Sequence, residues 1–298
     1  MLTVRSPASC GNLGAGFDAL SMAIDLCNEV TAEPASRLSI ENIGEGAEAL
    51  SGGPDHLVYR AIQRAHQACE REAPALSVRC QNQIPLSRGL GSSASAVSAG
   101  LLLGNRLQGD PLSLDDLLAL GSAMEGHPDN VVSCMLGGIQ VSVETDGQVL
   151  HSSIPINIAL RAVLFMPDLA VDTQTARRLL PRQVRLEDAV FNLGRSALLV
   201  AALANGRPEL LKVATEDRLH QPPRSALFPS MPAMFQAALE AGAVAACLSG
   251  AGSTILALAT DHVAQIAAAL ENCAAHNGIG GSVRIASIRD QGAEVFES

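Results

Sequence analysis

The segment Pro85-Leu86-Ser87-Arg88-Gly89-Leu90-Gly91-Ser92-Ser93-Ala94-Ser95 constrains this chain more than any other stretch. Gly89 and Gly91 permit positive φ and close approach of another group to the backbone, and residues 92–107 carry apolar side chains at helical spacing. A helix therefore starts directly out of a tight turn, and its unpaired N–H groups converge there. Such an end carries about half a positive charge and can hold a polyphosphate without any lysine. The Walker lysine, the G-x-G-x-x-G spacing and the G-x-S-x-G elbow are all absent. Taken alone, the residues fit a serine-capped structural turn equally well. Ser92 or Ser93 as a hydrolase nucleophile fits poorly, because Pro85 to Arg88 makes a weak strand end.

The remaining pattern alternates strands and helices. Residues 2–5, 25–32, 38–42 and 76–83 read as extended, and residues 58–72, 92–107 and 114–124 as helical. Asp146-Gly147 between apolar runs marks a hairpin. The pattern restarts after Pro155 with an apolar strand at 158–165 and helices at 173–180, 187–204, 208–217, 233–241 and 263–275. Two α+β layers are expected, divided as 1–153 and 154–298.

Composition narrows the partners. Twenty Lys+Arg against 30 Asp+Glu give a net charge of -10, which disfavours nucleic acid and anionic membrane surfaces. Aromatics make up 2%, with no Trp and one Tyr, so no stacking platform for bases exists and recognition must be polar and backbone-based. The seven cysteines are scattered without a C-x-x-C pair, which points to buried thiols in a reducing cytoplasm. No leader-like start and no apolar run of spanning length are present, so a cytoplasmic protein is expected.

The segment from Pro85 to Ala96 resembles the central phosphate-binding motif of the GHMP small-molecule kinases, the superfamily of galactokinase, homoserine kinase, mevalonate kinase and phosphomevalonate kinase. Residues 6–18, S-P-A-S-C-G-N-L-G-A-G-F-D, are similar to its first motif and residues 248–254, L-S-G-A-G-S-T, to its third. Glu125-Gly126-His127-Pro128-Asp129-Asn130 resembles the E-G-H-P-D-N signature of the homoserine kinases in particular. Residues 173–181 resemble their T-x-x-x-R…L-P segment, and residues 217–224 their D-R-L-H-Q-P-x-R segment.

The resemblance implies an N-terminal ribosomal-protein-S5-like domain, a C-terminal ferredoxin-like domain and an active site in the cleft between them. It implies transfer of phosphate from ATP to the side-chain hydroxyl of L-homoserine, a step of threonine biosynthesis, with Mg²⁺ as the metal and a homodimer as the assembly. Residues 85–95, with His56 and Val58, would bind ATP. Arg177 and Arg224 would clamp the amino-acid carboxylate, with Thr173 and Gly250 beside them; Asp18 and His127 would accept from its ammonium. Asn12 and Asp129 would orient the hydroxyl, Asp129 accepting or polarising its proton. Ser93 and Glu125 would hold Mg²⁺.

Each residue also has a plainer reading: solvated arginines, His127 shaping a turn, Asp18 capping a following helix, Asp129 capping the next. Three positions depart from the family pattern. Ala123 stands where many relatives have a second glutamate, Ser253 where Pro is usual, and His56 where Asn is common. A mevalonate-like acceptor or a non-catalytic ligand sensor on the same scaffold are the alternative functions.

Overall fold

In a computed structural model, residues 1–297 are described. Strand β1 (Leu2–Gly11) pairs antiparallel with the long β2 (Leu20–Pro34), so the first glycine-rich motif begins inside a strand, further along than the expected 2–5. β2 also pairs with β4 (Leu76–Asn82), and β4 runs parallel to β3 (Ser39–Gly44). The strands β5 (Ile139–Thr145) and β6 (Gln148–Ile154) form the hairpin marked by Asp146-Gly147, with β5 joined to β2. The helices α1 (Leu57–Gln67), α2 (Ser92–Arg106), α3 (Leu114–Glu125) and α4 (Asp129–Leu136) pack against this sheet. Ser113 opens α3 through a reciprocal capping box with Asp116, which satisfies two otherwise orphaned donors.

A second, wholly antiparallel sheet has the order β10-β7-β9-β8. It is built from β7 (Arg161–Pro167), β8 (Ala245–Leu248), β9 (Ile255–Ala259) and β10 (Gly281–Ser287). The chain also forms α5 (Thr173–Arg178), α6 (Leu186–Ala204), α7 (Leu211–Ala214), α8 (Gln221–Arg224), α9 (Met231–Glu240) and α10 (Val263–His276). The final strand β11 (Glu294–Glu297) returns to pair with β1 in the first sheet. No helix among the described residues is long and apolar enough to cross a membrane.

Alternation along β7 decides how the halves join. Val163 and Phe165 face α9 and α10, where they meet Met234, Ala238, Ile266 and Leu270. Ala162 and Leu164 face the other way, into a core shared with Leu199 and Leu203 of α6 and with Cys10, Met22 and Ile24 of the first sheet. One apolar cluster thus joins the two sheets. Leu164→Ala should cost about 2–5 kcal/mol in urea unfolding and leave a single transition. Two separated transitions, or a loss below about 1 kcal/mol, would show that the halves do not depend on this core.

Candidate active site

The turn before α2 is fastened to the protein through its carbonyls. Ser87 O accepts from Val171 N at 2.8 Å, Arg88 O from Thr254 N at 3.1 Å, and Leu90 O from Ser9 N at 3.0 Å. Gly89 O accepts from the Ser249 hydroxyl at 2.6 Å, and Gly91 O from Ser95 N at 2.9 Å. In a planar trans peptide the C=O and the following N–H point in opposite directions. Holding five successive carbonyls therefore turns the N–H groups of Arg88 to Ser92 away from the protein. Among the described residues, no main-chain N–H from Arg88 to Ala94 donates to a protein acceptor.

The glycines are required by packing. A Cβ on Gly89 (φ 74°) would sit 2.1 Å from Ser249 O, and one on Gly91 (φ 64°) 1.9 Å from Ser9 Oγ.

The free amides line a cleft that also receives the acceptor-side residues. Asn12, Asp18, Glu125, His127, Asp129, Thr173, Arg177, Arg224 and Gly250 all border it, as do Pro85 and residues 87–93. Leu86 packs on Gly46, while Ala94 and Ser95 are buried in α2, where Ser95 bonds Ser6 O. Val58 lies in the core, and His56 caps α1 by accepting from Val58 N and meets Asn42 at 3.0 Å. None of these five residues lines the cleft. Asn130 and Gln174 do line it, although the sequence reading did not single them out. Asn130 lay inside the quoted signature, and its amide bridges Ser9 Oγ and Asp129 Oδ1.

No helix follows Asp18, so it caps nothing. Its carboxylate instead meets the Arg177 fork with Nη1–Oδ2 at 2.9 Å and Nη2–Oδ1 at 2.7 Å. That bond raises the Arg177 pKa further. Arg224 is only 3% exposed, and its Nη1 bonds His220 Nδ1 at 2.9 Å and Gly250 O at 3.0 Å. Its Nε is buried without a partner, and burial together with nearby Arg177 lowers its pKa to about 10, so it stays charged at neutral pH. Asn12 ties the cleft together, donating to Gly250 O at 2.8 Å and accepting from Asp18 N at 3.0 Å.

Asp129, 1% exposed, opens α4 without capping it; Oδ1 takes the His127 Nδ1 contact at 2.6 Å, and among the described residues nothing donates to Oδ2. Burial alone would lower the His127 pKa, but the hydrogen bond and charge of Asp129 outweigh it and the net shift is upward. The pair's stabilisation is thus fully present below the ordinary histidine value and is lost as pH rises through the raised one. Ser93 Oγ donates to Glu125 Oε1 at 2.5 Å, and burial raises the Glu125 pKa against that bond. These two hard oxygen donors, side by side at the amide cradle, suit a divalent cation bound mainly through phosphate and water. Asp18, His127 and Asp129 also bring ligand atoms within 4.8 Å of one another, but Arg177 and the His127–Asp129 contact already engage them.

Two family models match the chain: GHMP kinases N terminal domain over residues 56–138 and GHMP kinases C terminal over residues 199–276. The two-domain fold and its cleft are those of this kinase class. The homoserine kinase of Thermosynechococcus vestitus is 42% identical over 300 residues, covering 100% of both chains. That of Desulfitobacterium hafniense is 38% identical over 99% of this chain and 100% of its own. The crystal structure of homoserine kinase from Cytophaga hutchinsonii superposes with a TM-score of 0.90 at 30% identity, covering 99% of this chain and 97% of that one. The chain belongs to the homoserine kinase family.

Asp129→Asn removes the charge that holds the His127 proton. NMR titration should then place the His127 midpoint below the wild-type value, because burial acts less opposed. An unmoved midpoint would show that another group sets it.

Proposed function

We propose that this chain transfers the γ-phosphoryl group of ATP to the side-chain hydroxyl of L-homoserine in the cytoplasm. The observation that carries the reading is the row of unpaired amides at residues 88–93 facing a cleft that also receives Asp18, Arg177, Arg224 and Asp129. In the proposed division, residues 1–153 supply the triphosphate cradle and residues 154–298 supply Arg177 and Arg224. The free N–H groups and the start of α2 bind phosphate oxygens; an acidic protein thereby avoids gathering lysines at its own active site. All seven cysteines are free, as a reducing compartment allows.

A zwitterionic acceptor needs a cation and an anion close together. The Asp18–Arg177 pair offers both, Asp18 toward the ammonium and Arg177 with Arg224 toward the carboxylate. Thr173, at the start of α5, and the Gly250 main chain border the same end. The unbonded Oδ2 of Asp129 receives or polarises the hydroxyl proton, and the loose transition state asks little base strength of it. Asn12 orients the acceptor with the amide N–H left over from its contact to Gly250. Ser93 and Glu125 would hold Mg²⁺, which supplies charge neutralisation for the β- and γ-phosphates.

Release of ADP should depend on L-homoserine; tight nucleotide binding without acceptor-dependent turnover would contradict the reading. Arg224→Ala should weaken homoserine by about 1.5–3 kcal/mol, roughly a 10- to 150-fold rise in KM, with ATP little changed. Equal loss for both substrates would misplace Arg224. Ser93→Ala should lower kcat most at limiting Mg²⁺, and an unchanged kcat there would remove Ser93 from the metal shell.

A further inference from the structure

Arg224 is held by a histidine where a carboxylate would be the ordinary partner for a buried guanidinium. Among the described residues no Asp or Glu lies within ion-pair distance of it, whereas Arg177 is closed by Asp18. His220 is fully buried, and its hydrogen bonds leave one protonation state. Guanidinium only donates, so His220 Nδ1, 2.9 Å from Arg224 Nη1, must be an acceptor. The Gly14 carbonyl only accepts, so Nε2, at 2.7 Å from it, must carry the proton. Asp217 Oδ2 lies 3.6 Å from Nε2, on the side that carries the proton, and the Asp217 oxygens already receive the N–H groups of Leu219, His220 and Gln221 and the amide of Asn192. Phe17 stacks on the imidazole with centroids 5.2 Å apart, and the guanidinium carbon of Arg224 lies 5.4 Å from the same ring. A neutral imidazole, the Gly250 carbonyl and the Phe17 face therefore hold the arginine with no carboxylate in contact with it.

We propose that His220 is the positioning residue that keeps Arg224 aimed at the acceptor's carboxylate without placing a negative charge in contact with it. Burial lowers the His220 pKa to about 4, in keeping with a ring that stays neutral at physiological pH. The proposal rests on the reading of Arg224 as a carboxylate clamp. A carboxylate at position 220 would hold the guanidinium equally well but neutralise it, and affinity for the anionic end of the acceptor would fall while phosphate binding would not.

The test is steady-state kinetics with L-homoserine and with 3-aminopropan-1-ol, the same amino alcohol without its carboxylate. His220→Asp should raise the homoserine KM about tenfold or more, with the ATP KM held and kcat/KM for 3-aminopropan-1-ol little changed. His220→Gln, which offers a neutral acceptor, should recover most of the lost homoserine affinity. If the buried aspartate prevents folding, His220→Leu serves instead: it removes the acceptor, and its KM should rise for homoserine alone. A uniform loss for both acceptors and ATP would overturn the proposal in favour of a purely structural histidine. A homoserine KM unmoved by His220→Asp, beside one raised by Arg224→Ala, would overturn it while leaving the clamp intact. If Arg224→Ala also leaves that KM unmoved, the clamp reading itself fails.

Discussion

Everything in the cleft depends on how the turn at residues 87–91 is tied down. Its five carbonyls are bonded to β1, to the 249–254 loop, to Val171 and to the first turn of α2, and peptide planarity sends the adjoining N–H groups the other way. The ties come from both halves of the chain. The geometry of this turn therefore depends on both halves, and the packing of Leu164 and Leu203 that joins the two sheets supports the proposed phosphate cradle from a distance.

The same economy shapes the charges. The chain carries an excess of ten negative charges, yet its cleft presents two kinds of group suited to anions: free backbone N–H groups at the start of α2, and the guanidiniums of half-buried Arg177 and buried Arg224. The guanidiniums are treated differently. Arg177 is matched by Asp18 and forms a dipolar pair suited to a zwitterion, whereas Arg224 is oriented by a neutral ring and retains its full charge. Glu125 and Asp129 have different partners, Ser93 for one and His127 for the other. In the proposed reading, metal binding and hydroxyl orientation need not compete for one carboxylate.

Much of this was legible in the sequence, for local reasons. The Asp146-Gly147 hairpin, the Ser113 start of α3 and the origin of α2 at Ser92 rest on turn and cap chemistry within a few residues. Long-range pairings were not legible: period-2 alternation does not say that β11 joins β1, or that β1 continues to Gly11 through its glycine motif. The short α8 carrying Arg224 contains two prolines and has no apolar stripe, so pattern alone hid it. At the site, the motifs brought the right residues together, but their hydrogen bonds could not be read from spacing. Asp18 closing on Arg177 joins segments 159 residues apart, whereas His220 holding Arg224 and His56 capping α1 are short-range contacts whose side-chain orientations spacing does not give.

Amide-resolved NMR in the presence of Mg²⁺ and a non-hydrolysable ATP analogue tests the central claim most directly. The N–H resonances of Gly89, Gly91, Ser92 and Ser93, whose groups donate to no protein acceptor among the described residues, should shift and exchange more slowly on binding. Saturable nucleotide binding that leaves those four resonances unmoved would mean that the triphosphate is held elsewhere.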